Sequence, residues 1–145
     1  MLDSYMAKFQ EDDGGLLVTF PDVPEAITGG ATDEEAFANA QEALELALLT
    51  YADDGRDMPA TSRRAIGAGR SVRVPIAAAV AAKIAFIVAF RESGMTRVAL
   101  ARKLGKAETE VRRMLDPYHQ TKLPAIEAAL KALGKRLVVS IAEAA

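Results

Sequence analysis

Cysteine is absent and histidine occurs once, as His119, in a chain of 145 residues. Disulfides and thiolate metal sites are therefore excluded, and one histidine cannot form a histidine metal cluster or an intramolecular pair. Any metal site would need carboxylates alone; no metal and no cofactor is expected. Long apolar runs are also scarce. The one candidate, residues 74–90, is alanine-rich and broken centrally by Lys83. It falls short of the roughly 20 residues of a spanning helix, and a lysine at mid-span is costly. It reads as a buried core helix, with no membrane association. Residues 2–13 mix charged and apolar positions and lack the hydrophobic segment of a secretory signal, so a cytoplasmic location is the expectation.

What is present is a balance typical of a soluble globular chain, 50% hydrophobic and 26% charged. The net charge of -2 conceals a division: residues 1–70 hold five Lys/Arg against fourteen Asp/Glu, and residues 71–145 thirteen against six. This asymmetry suggests two modules with different partners, the basic half being the candidate for phosphate backbones. Two solvated surfaces of opposite sign would read the same way.

The pattern along the chain is α+β. Residues 5–9 and 16–20 read as the strands of a hairpin, turned at Glu11-Asp12-Asp13-Gly14-Gly15. Pro21-Asp22-Val23-Pro24 ends the second strand, and a short third strand is expected over 25–28. Thr32-Asp33-Glu34-Glu35 is a capping box, and its acids suit a helix N-terminus. The following helix carries Phe37, Ala40, Leu44, Ala47, Leu48 and Tyr51 as an inward stripe. Residues 55–70 read as an irregular connection, and 71–74 as a fourth strand. Helices are expected from Pro75 to Phe90, over 97–104, over 108–115 and from Pro124 to Leu133, and β-branched content predicts a closing strand over 136–141. The domains are thus 1–75 and 76–145.

Within the second domain, Ala101, Gly105 and Val111 place a small residue, a glycine turn and a branched residue where two helices would meet closely. The stretch 96–115 is similar to the helix-turn-helix of phage repressor proteins. With Val111, Met114 and Leu115 inward, Glu108, Thr109, Arg112 and Arg113 turn outward, toward a major groove. Arg97, on the first turn of the preceding helix, suits a phosphate, and Lys106 lies in the turn beside it. These six are the candidate DNA-binding residues. One departure is Ala107, which stands where a hydroxyl N-cap is usual, a loss of about 1 kcal/mol.

The whole chain resembles the HicB antitoxin family, in the subgroup with a helix-turn-helix tail. The likeness is carried by Asp12-Asp13-Gly14-Gly15, Val18-Thr19-Phe20-Pro21-Asp22-Val23-Pro24-Glu25-Ala26, Gly29-Gly30-Ala31-Thr32, Glu35-Ala36, Asn39-Ala40-Gln41-Glu42-Ala43-Leu44, residues 72–75, and Ala132-Leu133-Gly134-Lys135-Arg136-Leu137. The family usually has glycine-cysteine or a similar pair where this chain reads Glu25-Ala26-Ile27. The resemblance implies an antitoxin of a type II toxin-antitoxin pair. Its β-β-β-α-β module would be a partial ribonuclease H-like fold that covers a small, basic, RNA-cleaving HicA-like toxin. Asp22 and Glu25, beside the Pro-Asp-Val-Pro turn, are the candidate toxin contacts. The tail would bind operator DNA as a homodimer or homotetramer, since repressors of this type bind paired half-sites. Strand 136–141 could pair with 71–74, with its copy in another subunit, or with both.

An active ribonuclease H-type nuclease would hold two metals with carboxylates, one from the middle of its first strand. Residues 4–10 and 16–20 contain no acid, and the acids at 12, 13, 22 and 33–35 fall in turns or at a helix start. The chain is not expected to be an enzyme, and His119, in a Pro-Tyr-His turn, reads as a loop residue. A free-standing transcriptional regulator with a ligand-binding or dimerising N-terminal domain is the alternative.

Overall fold

Asp13 and Gly14 both take positive φ, 46° and 79°, the backbone of a two-residue hairpin turn whose twist matches that of its strands. They join β1 (Ser4–Asp12) to β2 (Gly15–Thr19), paired antiparallel with Phe9 opposite Val18. Consecutive turns follow, Val23 N–H donating to the Phe20 carbonyl and Ala26 N–H to that of Val23. They delay β3 to Ile27–Gly30, two residues later than the expected 25–28. The computed structural model describes residues 2–62 and 69–144; of the connection at 55–70, residues 63–68 lie outside the described residues.

The sheet is antiparallel throughout, in the order β3-β2-β1-β4, where β4 is Arg70–Pro75. Tyr5 faces Val74 and Ser4 faces Pro75, so 71–74 completes this sheet. Helix α1 (Asp33–Asp54) is capped by Thr32, which accepts the Glu35 N–H at 3.2 Å, and closed by Gly55 in the left-handed region. It contacts β2, β3 and β4. Tyr5, Ala7, Phe9, Val18 and Val74 form the core with Ala36, Ala40, Leu44 and Leu48 of the helix.

Phe37, expected in that core, is 36% exposed. Ala36 takes its place because β3 lies so close beneath the first turn of α1: a Cβ on Gly30 would come within 2.5 Å of the Ala36 nitrogen. The helix expected from Pro75 starts later, as α2 (Ala78–Ser93). Pro75 still belongs to the β1–β4 ladder, which Ile76 N–H extends by donating to the Asp3 carbonyl, and the Ala77 N–H is taken by Glu45 at 2.7 Å.

The chain divides into two compact units, Met1–Ala81 and Ala82–Ala145. The second contains the rest of α2, α3 (Arg97–Leu104), α4 (Glu108–Leu115) and α5 (Leu123–Ala132). Ala82, Phe86, Ala89, Leu100, Ala101, Val111, Met114, Ile126, Ala129 and Leu130 form its core. Of the inward positions expected of α4, Val111 and Met114 are buried and Leu115 is half-buried against that core. The closing strand expected over 136–141 does not form. A lone strand leaves its backbone groups unpaired, and the described residues of this unit contain no other strand. Leu137 packs on the helical core, whereas Val138, Val139 and Ile141 are exposed. Among the described residues, no helix is long and apolar enough to cross a membrane.

Candidate functional site

Two eight-residue helices, α3 and α4, meet across a three-residue turn in the second unit. Thr96 caps α3 by accepting the Ala99 N–H at 3.1 Å, and Gly105, at φ 65°, reverses the chain in a conformation that favours glycine. Ala107 supplies no side-chain cap to α4, as its sequence predicts. Burial of Val111 and Met114 therefore fixes the rotation of α4. That rotation leaves Thr109, Arg112 and Arg113 exposed, with Lys106 exposed in the turn.

Charge on this face is internally paired. The Glu108 carboxylate accepts from Arg112 Nη2 at 3.1 Å to both oxygens and lies 3.3 Å from Arg97 Nε on the neighbouring helix. Lys106 pairs with Glu110 at 3.6 Å. Arg113 is exposed and, among the described residues, has no ion pair. Of the six residues read from the sequence, Arg97, Glu108 and Arg112 thus form one cluster, Lys106 is turned toward Glu110, and Thr109 and Arg113 face solvent.

Lys83, read from the sequence only as an interruption of an apolar run, has a structural role that the sequence did not reveal. It is 5% exposed, and its ammonium donates to the Met114 carbonyl in the last turn of α4 and to Thr121 Oγ1 at 2.7 Å in the following loop. Carbonyls there lack intrahelical partners, so Lys83 caps α4 from within. Burial pushes its pKa down to about 8, with nearby Asp116 opposing the shift. The place of Lys83 between Ala82 and Ile84, both buried, and three residues before buried Phe86 on an apolar helix was the available signal.

In the first unit, Asp22 and Glu25 both hold intramolecular partners. Asp22 accepts the Ser62 N–H at 2.6 Å. Glu25 accepts the Tyr51 hydroxyl at 2.9 Å and pairs with Arg56 at 3.0 Å, while Arg56 lies over the Tyr51 ring. The Tyr51 hydrogen bond, with Arg56 assisting, holds the Glu25 carboxyl below its usual range and raises the Tyr51 phenol. Together with a 2.6 Å bond from the Tyr5 hydroxyl to the Pro59 carbonyl, these contacts fasten residues 56–62 against the turn at 21–25. An open hollow of about 890 Å³ lies beside the hairpin, with Asp12, Asp13, Asp33, Phe9, Leu16 and Arg70 among its lining residues.

A family model described as the HicB-like antitoxin of bacterial toxin-antitoxin systems matches residues 4–85, more than half of the chain. This chain belongs to the HicB antitoxin family. It is 40% identical over 133 residues to Antitoxin HicB 2 of Photorhabdus laumondii, covering 92% of both chains. It is 38% identical over 125 residues to Antitoxin HicB of Escherichia coli K12, covering 86% of this chain and 88% of that one. With Antitoxin HicB of Pseudomonas fluorescens the identity is 34% over 137 residues, covering 94% and 92%. HicB membership gives the chain an antitoxin role, and the similarity to these relatives runs through both units.

Proposed function

We propose that the chain neutralises a small RNA-cleaving, HicA-like toxin through its first unit and represses its own operon by binding operator DNA through the second. The toxin-facing part rests on family membership and on the charge of residues 1–70, whose excess of acids would speed encounter with a basic partner. On this reading the β-β-β-α-β unit is the partial ribonuclease H-like module. Its acidic surface, Asp22 and Glu25 included, meets the toxin without itself catalysing a reaction. A toxin cation would then share the Glu25 carboxylate with Arg56.

The observation that carries the DNA-binding part is the arginine face of α4, set outward by buried Val111 and Met114. The α3-turn-α4 pair acts as a helix-turn-helix in which Arg113 reads a base edge in the major groove and Arg97 meets a phosphate. The same cytoplasmic protein binds paired half-sites as a homodimer or homotetramer.

Co-expression with a small basic neighbouring gene product, followed by pull-down and an RNA-cleavage assay, tests the first part. Failure of the full chain to protect RNA would overturn it. Fluorescence anisotropy on the promoter of its own operon tests the second. Arg113→Ala should cost about 1–3 kcal/mol and relax preference at one base position, whereas Arg97→Ala should weaken operator binding and lower its salt slope by about one ion without changing the preference at the base Arg113 reads. Unchanged affinity and preference in the Arg112→Ala, Arg113→Ala double variant would sink the recognition-helix assignment.

A further inference from the structure

The Arg97-Glu108-Arg112 cluster places a carboxylate where a DNA-binding surface would otherwise present two free cations. Glu108 opens α4, is 27% exposed at its side chain, and bridges the first turn of α3 to the second turn of α4. Both of its oxygens are engaged by Arg112, and one of them lies near Arg97 as well. The N–H groups engaged in this way, and the positive charge that the carboxylate offsets, become available to a phosphate only when the guanidinium leaves the carboxylate.

Resting on the DNA-binding reading above, we infer that Glu108 is a specificity-determining residue. It withholds Arg97 and Arg112 from arbitrary DNA and releases them where the duplex offers the carboxylate a replacement partner. The replacement is set by chemistry. A carboxylate only accepts hydrogen bonds, and in the major groove the amino group of cytosine is the donor that aspartate and glutamate take. On a sequence with guanine or thymine at that position, which present no donor in the major groove, freeing the arginines leaves Glu108 facing negative charge without a partner. That unpaired acid opposes wrong sequences, so discrimination arises from a repulsive element as well as from attractive contacts.

Glu108→Gln tests this, because the amide keeps the shape and length of the side chain but cannot neutralise a guanidinium. Binding is measured by anisotropy for the promoter duplex and for a scrambled duplex of equal length, at several salt concentrations. Affinity for the scrambled duplex should rise about tenfold, with a salt slope steeper by one to two phosphates. Affinity for the promoter should change by less than about threefold, so the ratio between the two collapses by a factor near that of one lost base contact. In an Arg97→Ala background the gain should shrink, since one of the released cations is gone. A Glu108→Gln protein that loses affinity for both duplexes equally would show that the acid braces the arginines, and the inference would be wrong. An unchanged ratio would also refute it. If the wild-type chain binds no duplex at any salt concentration, the DNA-binding reading itself falls; if it discriminates and Glu108→Gln discriminates equally well, only the role of Glu108 does.

Discussion

Lys83 makes the stability of the helical unit depend on alkaline pH with a sign opposite to that of a surface lysine in an ion pair. Burial lowers its pKa from the ordinary 10.5 to about 8, so between those values the unfolded chain holds a proton that the folded chain has given up. Stability rises with pH wherever the unfolded state binds more protons. Folding should therefore gain about 1.4 kcal/mol per pH unit across this window and level off above it, on the order of 3 kcal/mol in all. Below pH 8 the ammonium is charged and buried, and the penalty is fully present.

Lys83→Met removes the titration and fills a similar volume, but leaves the Met114 carbonyl without its donor. That loss costs about 1–3 kcal/mol, close to the charge penalty it relieves at pH 7. The variant should thus match the wild type near pH 7 and fall behind it by on the order of 3 kcal/mol at pH 10. Urea unfolding of both proteins from pH 7 to 10, followed by helical circular dichroism, reads the difference. Tyr5 and Tyr51, whose phenols are raised, titrate in both proteins and cancel in the comparison. A stability difference independent of pH, or one that narrows toward pH 10, would refute the reasoning.

Gly30→Ala should destabilise the first unit by about 2–3 kcal/mol, because its Cβ would meet backbone atoms of Glu35 and Ala36 that cannot rotate away; thermal unfolding reads the loss, and a neutral result would mean that α1 lifts freely. Tyr51→Phe removes the main group that lowers the Glu25 pKa, so a carboxyl NMR titration should find that pKa shifted upward. The same group sets an acid limit: a carboxyl whose folded pKa is depressed contributes stability above its unfolded pKa and loses it as pH falls through the folded value. Wild-type residues 56–62 should accordingly loosen at acid pH, read as faster amide exchange at Arg56, and Tyr51→Phe should loosen at a higher pH. Thr96→Ala should cost about 1 kcal/mol by uncapping α3, measured as a lower urea midpoint with an unchanged slope.

Elements whose determinants are local were legible in the residues. Thr32 and Thr96 precede helices they cap, and Gly55 and Gly105 follow helices they close. Val111 and Met114 could be assigned inward because helical spacing alone separates them from Arg112 and Arg113. The misjudged positions depend on a second element. Phe37 has the size of a core residue, but the space above β3 admits only Ala36, a limit set by Gly30 from the neighbouring strand. Pro75 has the form of a helix start, yet Ser4, seventy-one residues earlier, holds it in a ladder.

The same distinction separates two readings of the region after Gly134. Propensity alone makes 136–141 a strand, since Val138, Val139 and Ile141 are β-branched, but propensity supplies no hydrogen-bond partner, and strand preference reflects the surface a residue packs against. Inside a helical unit that surface is missing, and the segment forms no strand, with Leu137 packed against the core. Glu108 shows the reverse case. Its acid type and its place on α4 mark an outward residue, while its pairing with Arg97 depends on how α3 crosses α4. A charge that reads as a DNA contact in one dimension becomes, once the two helices are packed, the counter-ion of Arg97 and Arg112.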